Sequence, residues 1–203
     1  EINFKQLKNF FSETNKFILL YGDERSGKKY ILNSFINCFH FDKKIFYASL
    51  EDDYFSEKIL EGISYFDVIV LDRLDLAPTN PNWELGIFNL YNELNEADKS
   101  KIIFLSDKSL NSIEFNLKDL QSRISSISAM SFAELDDDEK RILMELIFNK
   151  RGISVDNSVL SYALERSSRN LENIINLVQK IDEYSLSKKR NITVPLLKEI
   201  LES

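Results

Sequence analysis

The stretch KFILLYGDERSGKKYILNSF, residues 16–35, decides the fold: an apolar run, a glycine-flanked charged loop and a helix-forming segment follow one another directly. Gly22, Gly27 and Lys28 stand where the phosphate-loop pattern G-x-x-x-x-G-K-[ST] requires them, but the residue that should offer a hydroxyl to magnesium is Lys29. In an intact loop the glycines let the backbone wrap phosphates, the helix N-terminus supplies positive potential, and the lysine reaches the terminal phosphates. Gly22, Ser26, Gly27, Lys28 and Lys29 are therefore the candidate nucleotide contacts. An ammonium has no acceptor lone pair, so Lys29 cannot hold magnesium; contacting phosphate itself, it replaces part of the metal's charge. Asp23 and Glu24 add like charge that Arg25 only partly offsets. The alternative is a glycine-bracketed turn without a ligand.

Outward from this loop, helix and strand patterns alternate. Phe4, Leu7, Phe10 and Phe11 recur at helical spacing before the first strand at 17–21, and Ile31, Leu32, Phe35, Ile36 and Phe39 give the helix after the loop its apolar face. Strands are predicted at 45–50 (IFYASL), 66–71 (FDVIVL), 101–105 (KIIFL) and near 126–130, with the acidic residues Glu51, Asp52 and Asp53 as a solvated turn. Pro78 and Pro81 frame a loop, and Trp83, Ile87, Phe88, Tyr91 and Leu94 mark one face of a helix running to about residue 95. Such alternation implies an α/β fold, a five-stranded parallel sheet with helices on both faces. From about Phe132 the character becomes helical, with helices expected near 136–150, 156–166, 170–184 and 194–201. Two domains follow: a nucleotide-binding α/β domain over 1–131 and a small all-α lid over 132–203.

Two further residues carry chemistry. Asp72 closes an apolar strand in VIVLDRLD, the position of a magnesium-coordinating Walker B acid; read blandly, it caps a turn. Arg73 follows where hydrolytic enzymes commonly carry a glutamate, and a guanidinium cannot act as a general base. Arg123, in LQSRI between sheet domain and lid, is placed as an arginine finger acts on a neighbour's nucleotide; its alternative is a surface salt bridge.

Composition narrows the setting. The 203 residues are 43% apolar, enough for a sizeable core. One cysteine, Cys38, excludes an internal disulfide, and with the lone His40 it is too little for a zinc site; a buried thiol is expected. No apolar run approaches the roughly 20 residues of a membrane span, so a cytoplasmic protein is expected. A net charge of −7 disfavours direct DNA binding, which draws on many lysine and arginine contacts.

Together these pieces resemble the AAA+ superfamily and, within it, the DnaA/Hda family. The resemblance covers about residues 17–201 and is carried by NWELGIFNLYNELNEADKSKIIFLSD (82–107), LKDLQSRIS (117–125) and LSKKRNITVPLLKEIL (186–201), which look like the shorter Hda-type members rather than the longer initiators. After Leu201 no helix-turn-helix domain is expected, and hence no sequence-specific DNA binding. The resemblance implies a regulator of replication initiation that binds ADP, docks on the DNA-loaded sliding clamp and stimulates the initiator DnaA to hydrolyse ATP, nucleoid-associated through these partners. It implies Arg123 as the arginine finger, Ser106 and Asp107 at the sensor 1 position, Gly22, Gly27 and Lys28 as nucleotide contacts, and Asp72 as the metal-side acid. The lid arginine of the family (sensor 2) falls on Glu172, with Arg169 three residues earlier as its substitute. No clamp-binding peptide is visible near the N-terminus. Self-association as a homodimer is implied, hiding or exposing the finger. Three readings stand: a trans-acting regulator with little ATPase of its own, an autonomous ATPase, and a pseudo-AAA+ adaptor without nucleotide.

Overall fold

The computed structural model describes residues 2–39, 43–96, 100–166 and 171–201, and the side chains of all of these except 2–5, 35 and 37–39. His40 and Arg169, and the side chains of Phe4, Phe35, Cys38 and Phe39, therefore lie outside the described residues. The first of two compact units takes in residues 1–24 and 28–133, the second residues 25–27 and 134–203.

Helix α1 (Ile2–Ser12) leads into β1 (Phe17–Tyr21), the loop, and α2 (Lys28–Phe39). Next come β2 (Ile45–Ser49), β3 (Val68–Asp72), α3 (Pro81–Glu96), β4 (Lys101–Ser106), α4 (Lys118–Ser125) and β5 (Ser128–Ser131). The strands form one parallel sheet in the order β2-β3-β4-β1-β5. Each central strand is apolar on both faces because alternate side chains enter different cores. Phe17, Leu19, Ile69, Leu71, Ile102 and Phe104 pack with α3 and α4, while Ile18, Leu20, Val68, Val70, Ile103 and Leu105 pack with α1 and α2. Full burial of side chains of this size stabilises by about 1.5–3 kcal/mol each. The stacked rings of Phe17 and Tyr91, 4.0 Å between centroids, fix α3 on the sheet.

Register aligns the carboxyl ends of the strands. Tyr21 lies opposite Ser106 and Ser49 opposite Asp72, so the segments after β1, β2, β3 and β4 emerge at one edge, where ligands of parallel sheets bind.

Some boundaries differ from the sequence expectation, each for a local reason. Phe66 belongs to a turn, its N–H donating to the Ile63 carbonyl, so β3 starts at Val68. Ser126 and Ile127 close α4 by donating to the Arg123 and Ile124 carbonyls, which moves β5 to Ser128. Pro81 opens α3, a place where the absent N–H is not missed, and Pro78 sits in the six-residue 3₁₀ helix Leu74–Thr79.

Within the second unit, α5 (Asp137–Lys150), α6 (Asn157–Arg166), α7 (Leu171–Lys188) and α8 (Val194–Leu201) enclose a core of Met144, Phe148, Leu160, Ile174, Val178, Ile181 and Leu197. Asp136 and Glu139 form a reciprocal capping box at the start of α5. At its end Gly152, at φ +74°, lets its own N–H reach the Asn149 carbonyl and that of Ile153 reach Phe148, a Schellman stop. Helix α7 runs past the expected residue 184 to Lys188, since no glycine or proline interrupts it.

Candidate functional site

After β1 the chain makes a short helical turn, Glu24–Ser26, and Gly27 takes φ +75°, a left-handed conformation that releases the chain into α2. The Ser26 hydroxyl is buried without a hydrogen-bond partner among the described residues. Lys28, 1% exposed, folds back beneath the loop: its Nζ donates to the Gly22 carbonyl at 2.8 Å, the Asp23 carbonyl at 3.3 Å and Asp107 Oδ1 at 2.6 Å. An ammonium has three donors, so these oxygens use all of them.

Asp72, fully buried at the end of β3, is likewise engaged. Lys29 Nζ stands 2.6 Å from Oδ2, the Tyr47 hydroxyl donates to the same oxygen at 2.6 Å, and the Arg73 N–H donates to Oδ1 at 2.9 Å. Burial of its hydroxyl pushes the Tyr47 pKa well above the usual tyrosine value, and the Asp72 and Glu51 charges add to the effect.

Arg73 takes φ 61° and ψ 43°, a left-handed conformation that disfavours a side chain. Its guanidinium meets Glu51 at 3.1 Å, Asp75 at 3.5 Å and Asp107 at 3.5 Å. Burial works to lower the Arg73 pKa, but these carboxylates outweigh it and raise the value, Asp75 most, then Asp107 and Glu51. At the end of β4, Ser106 Oγ donates to the Lys108 carbonyl at 2.7 Å, and the Asp107 N–H donates to Asp75 Oδ1 at 3.1 Å. Three cations (Lys28, Lys29, Arg73) and four carboxylates (Glu51, Asp72, Asp75, Asp107) thus leave one net negative charge in a continuous network.

Arg123 lies in the last turn of α4. Its guanidinium rests over the rings of Phe88 and Tyr91, 4.9 and 5.4 Å from their centroids, and none of the described carboxylates comes within ion-pair distance. The surface salt bridge entertained from sequence is therefore replaced by an aromatic platform. The same helix, α3, anchors the other end of α4. Buried Glu84 accepts from the Leu117 N–H at 2.7 Å and the Asn116 N–H at 2.8 Å, capping α4 with a negative charge.

The fold therefore brings together Gly22, Lys28, Lys29, Asp72 and Asp107, while Glu172 sits in the first turn of α7. Sequence reasoning missed Tyr47, Asp75 and Glu84; Glu51 lies in a solvated turn, as expected, and from there also meets Arg73. Asp75 carried a signal, since an acid three residues after Asp72 lies on the same strand-end turn; Tyr47 and Glu84 carried none.

Comparison with known proteins places this geometry. Residues 137–201 match the family model described as Hda, lid domain. The lid is similar to that of Hda. A Haemophilus influenzae protein described only as uncharacterized is 28% identical over 196 residues, covering 96% of this chain and 85% of that protein. Domain III of the replication initiation protein DnaA from Thermotoga maritima superposes with a TM-score of 0.71 at 13% identity, over 99% of this chain and 90% of that one. AMPPCP-bound DnaA from Aquifex aeolicus gives 0.65 at 21% identity, over 93% of this chain and 64% of that one, so this chain spans under two thirds of that initiator. The Thermotoga maritima RuvB branch-migration motor gives 0.67 at 13% identity, over 100% of this chain and 68% of that one. The fold is AAA+, of the kind found in DnaA and RuvB, with a C-terminal helical lid, and among the described residues no helix is long and apolar enough to cross a membrane.

An AAA+ site normally takes a nucleotide with magnesium, and the residues here fit the two unequally. The glycine loop and the unpartnered Ser26 hydroxyl suit phosphate, but a phosphate gains Lys28 only by displacing Asp107. Magnesium does not fit: it wants near-octahedral oxygen ligands, whereas Asp72 already accepts two hydrogen bonds and is ion-paired with the ammonium that residue 29 supplies. No group of three or more His, Cys, Asp or Glu among the described residues is arranged to hold a metal.

Proposed function

We propose that this chain is a regulator of replication initiation that stimulates ATP hydrolysis by the initiator DnaA, supplying Arg123 in trans while turning over little or no nucleotide itself. The observation that carries the reading is the pairing of opposite conditions. Arg123 is presented on an aromatic platform without a carboxylate partner among the described residues, whereas the chain's own phosphate-loop cations are all engaged by protein oxygens. A guanidinium held this way keeps its charge and its planar donors for a phosphoryl group. Arg73, standing where a water-activating glutamate would be, has no basic lone pair and is locked among three acids, which argues against hydrolysis in cis. The Hda-type lid and the DnaA-like fold support the same partner. Within this reading ADP is the resident nucleotide, held by Gly22, Ser26, Gly27, Lys28 and Lys29, and the DNA-loaded sliding clamp and a homodimer are the other associations. Asp107 yields Lys28 when the phosphates enter.

Arg123→Ala is expected to lower stimulated hydrolysis by about 10³-fold or more, the ordinary worth of a trans arginine. Unchanged stimulation by a folded variant overturns the reading. The full use of the Lys28 donors favours a second one, an adaptor that binds no nucleotide and acts through protein contacts. Calorimetric titration with ADP separates the two: a saturable heat abolished by Lys28→Ala supports the first, and no heat supports the second.

A further inference from the structure

A magnesium ion in a phosphate-loop site stands between a strand-end acid and a loop hydroxyl, and both positions are altered here in a correlated way. The loop residue is Lys29 rather than Ser or Thr, and its ammonium reaches the strand-end acid itself, 2.6 Å from Asp72 Oδ2. Asp72 is fully buried, where an unpaired carboxylate is strongly disfavoured, so it requires a cation or several donors. It has both: Lys29 and the Tyr47 hydroxyl on Oδ2, the Arg73 N–H on Oδ1. The guanidinium of Arg73, on its left-handed backbone, meets Glu51, Asp75 and Asp107, and Lys28 also pairs with Asp107, so each remaining acid of the network faces a cation of the chain, with one net negative charge left over.

We propose that Lys29 is a tethered internal cation that occupies the divalent-metal position beside Asp72, making this pocket independent of metal. A site of this kind needs no magnesium for its structure and does not recruit one. Tyr47 positions the acid for the lysine by holding the same oxygen from β2, the neighbouring strand. The inference concerns the chain's own pocket and stands whether or not Arg123 acts on a partner.

The test uses the full chain and Mn²⁺ as a spectroscopic probe. The wild-type protein is expected to bind no Mn²⁺ by electron paramagnetic resonance, and to melt at the same temperature in EDTA and in millimolar Mg²⁺. Lys29→Ser removes the internal cation and supplies the hydroxyl: in EDTA it is expected to melt about 5 °C lower, allowing for the partial exposure of Lys29. Millimolar Mg²⁺ then restores part of that loss, and one Mn²⁺ binds. Lys29→Arg keeps a cation and is expected to remain metal-independent. Mn²⁺ bound by the wild-type protein and lost in Asp72→Asn overturns the proposal, and so does a Lys29→Ser protein that folds, melts like wild type in EDTA and ignores Mg²⁺. If Lys29→Ser does not fold, the wild-type and Asp72→Asn measurements decide alone.

Discussion

Tyr47 shows how one side chain reports the state of the pocket. About half of the residue is exposed, yet its hydroxyl donates to buried Asp72 and its pKa lies above the ordinary value of 10.0, through burial first and then the nearby negative charge. For a group whose folded pKa is raised, the stabilisation is complete below the unfolded value and is lost as pH rises above it. Tyr47 is thus expected to support the fold at all pH values below about 10 and to weaken it above. Subtracting the ultraviolet titration of Tyr47→Phe from that of wild type should show one phenol ionising above the ordinary tyrosine value. An ordinary titration for that phenol contradicts the hydrogen bond. The mismatch at residue 29 was visible as a broken pattern, and Asp72 was visible as the end of an apolar strand. That the two neutralise one another was not, because their meeting depends on β1 and β3 finishing at the same sheet edge with β4 between them.

Helix α3 does more than cover the sheet. Its apolar stripe was readable from helical spacing, but two members of that stripe, Phe88 and Tyr91, turn out half-buried and carry Arg123 on their faces. One turn earlier, Glu84 reads in sequence as an unremarkable polar residue of a first helical turn. In the fold it is 2% exposed and holds the N-terminus of α4 by two backbone N–H groups and the Asn116 side chain. Helix α4 has eight residues and is too short to be stable alone, so α3 fixes both its entry and the end that bears Arg123. Glu84→Ala strands those donors and is expected to destabilise the α/β unit by about 2–3 kcal/mol, lowering its melting temperature by roughly 5–10 °C. It should reduce stimulation of the partner more than Lys28→Ala does, because it disturbs the helix that bears Arg123. A melting curve identical to wild type contradicts this role.

For the whole molecule, the alternation of strands and helices with the change to helices near Phe132 foretold the class, since hydrophobic period survives in any well-packed sheet. Sheet order and the ionic network did not follow from it, because both are set by contacts far apart in sequence, such as Lys28 with Asp107 and Arg73 with Glu51. The proposed division of labour has the cations turned inward at the chain's own pocket and one arginine acting on a partner. The most direct measurement is single-turnover hydrolysis of ATP bound to purified DnaA, with the sliding clamp loaded on DNA and this protein added as wild type, Arg123→Ala or Lys28→Ala. Under that division of labour wild type accelerates hydrolysis, Arg123→Ala loses about 10³-fold or more, and Lys28→Ala retains most of the acceleration. Full acceleration by Arg123→Ala, or its loss with Lys28→Ala alone in a folded protein, contradicts it.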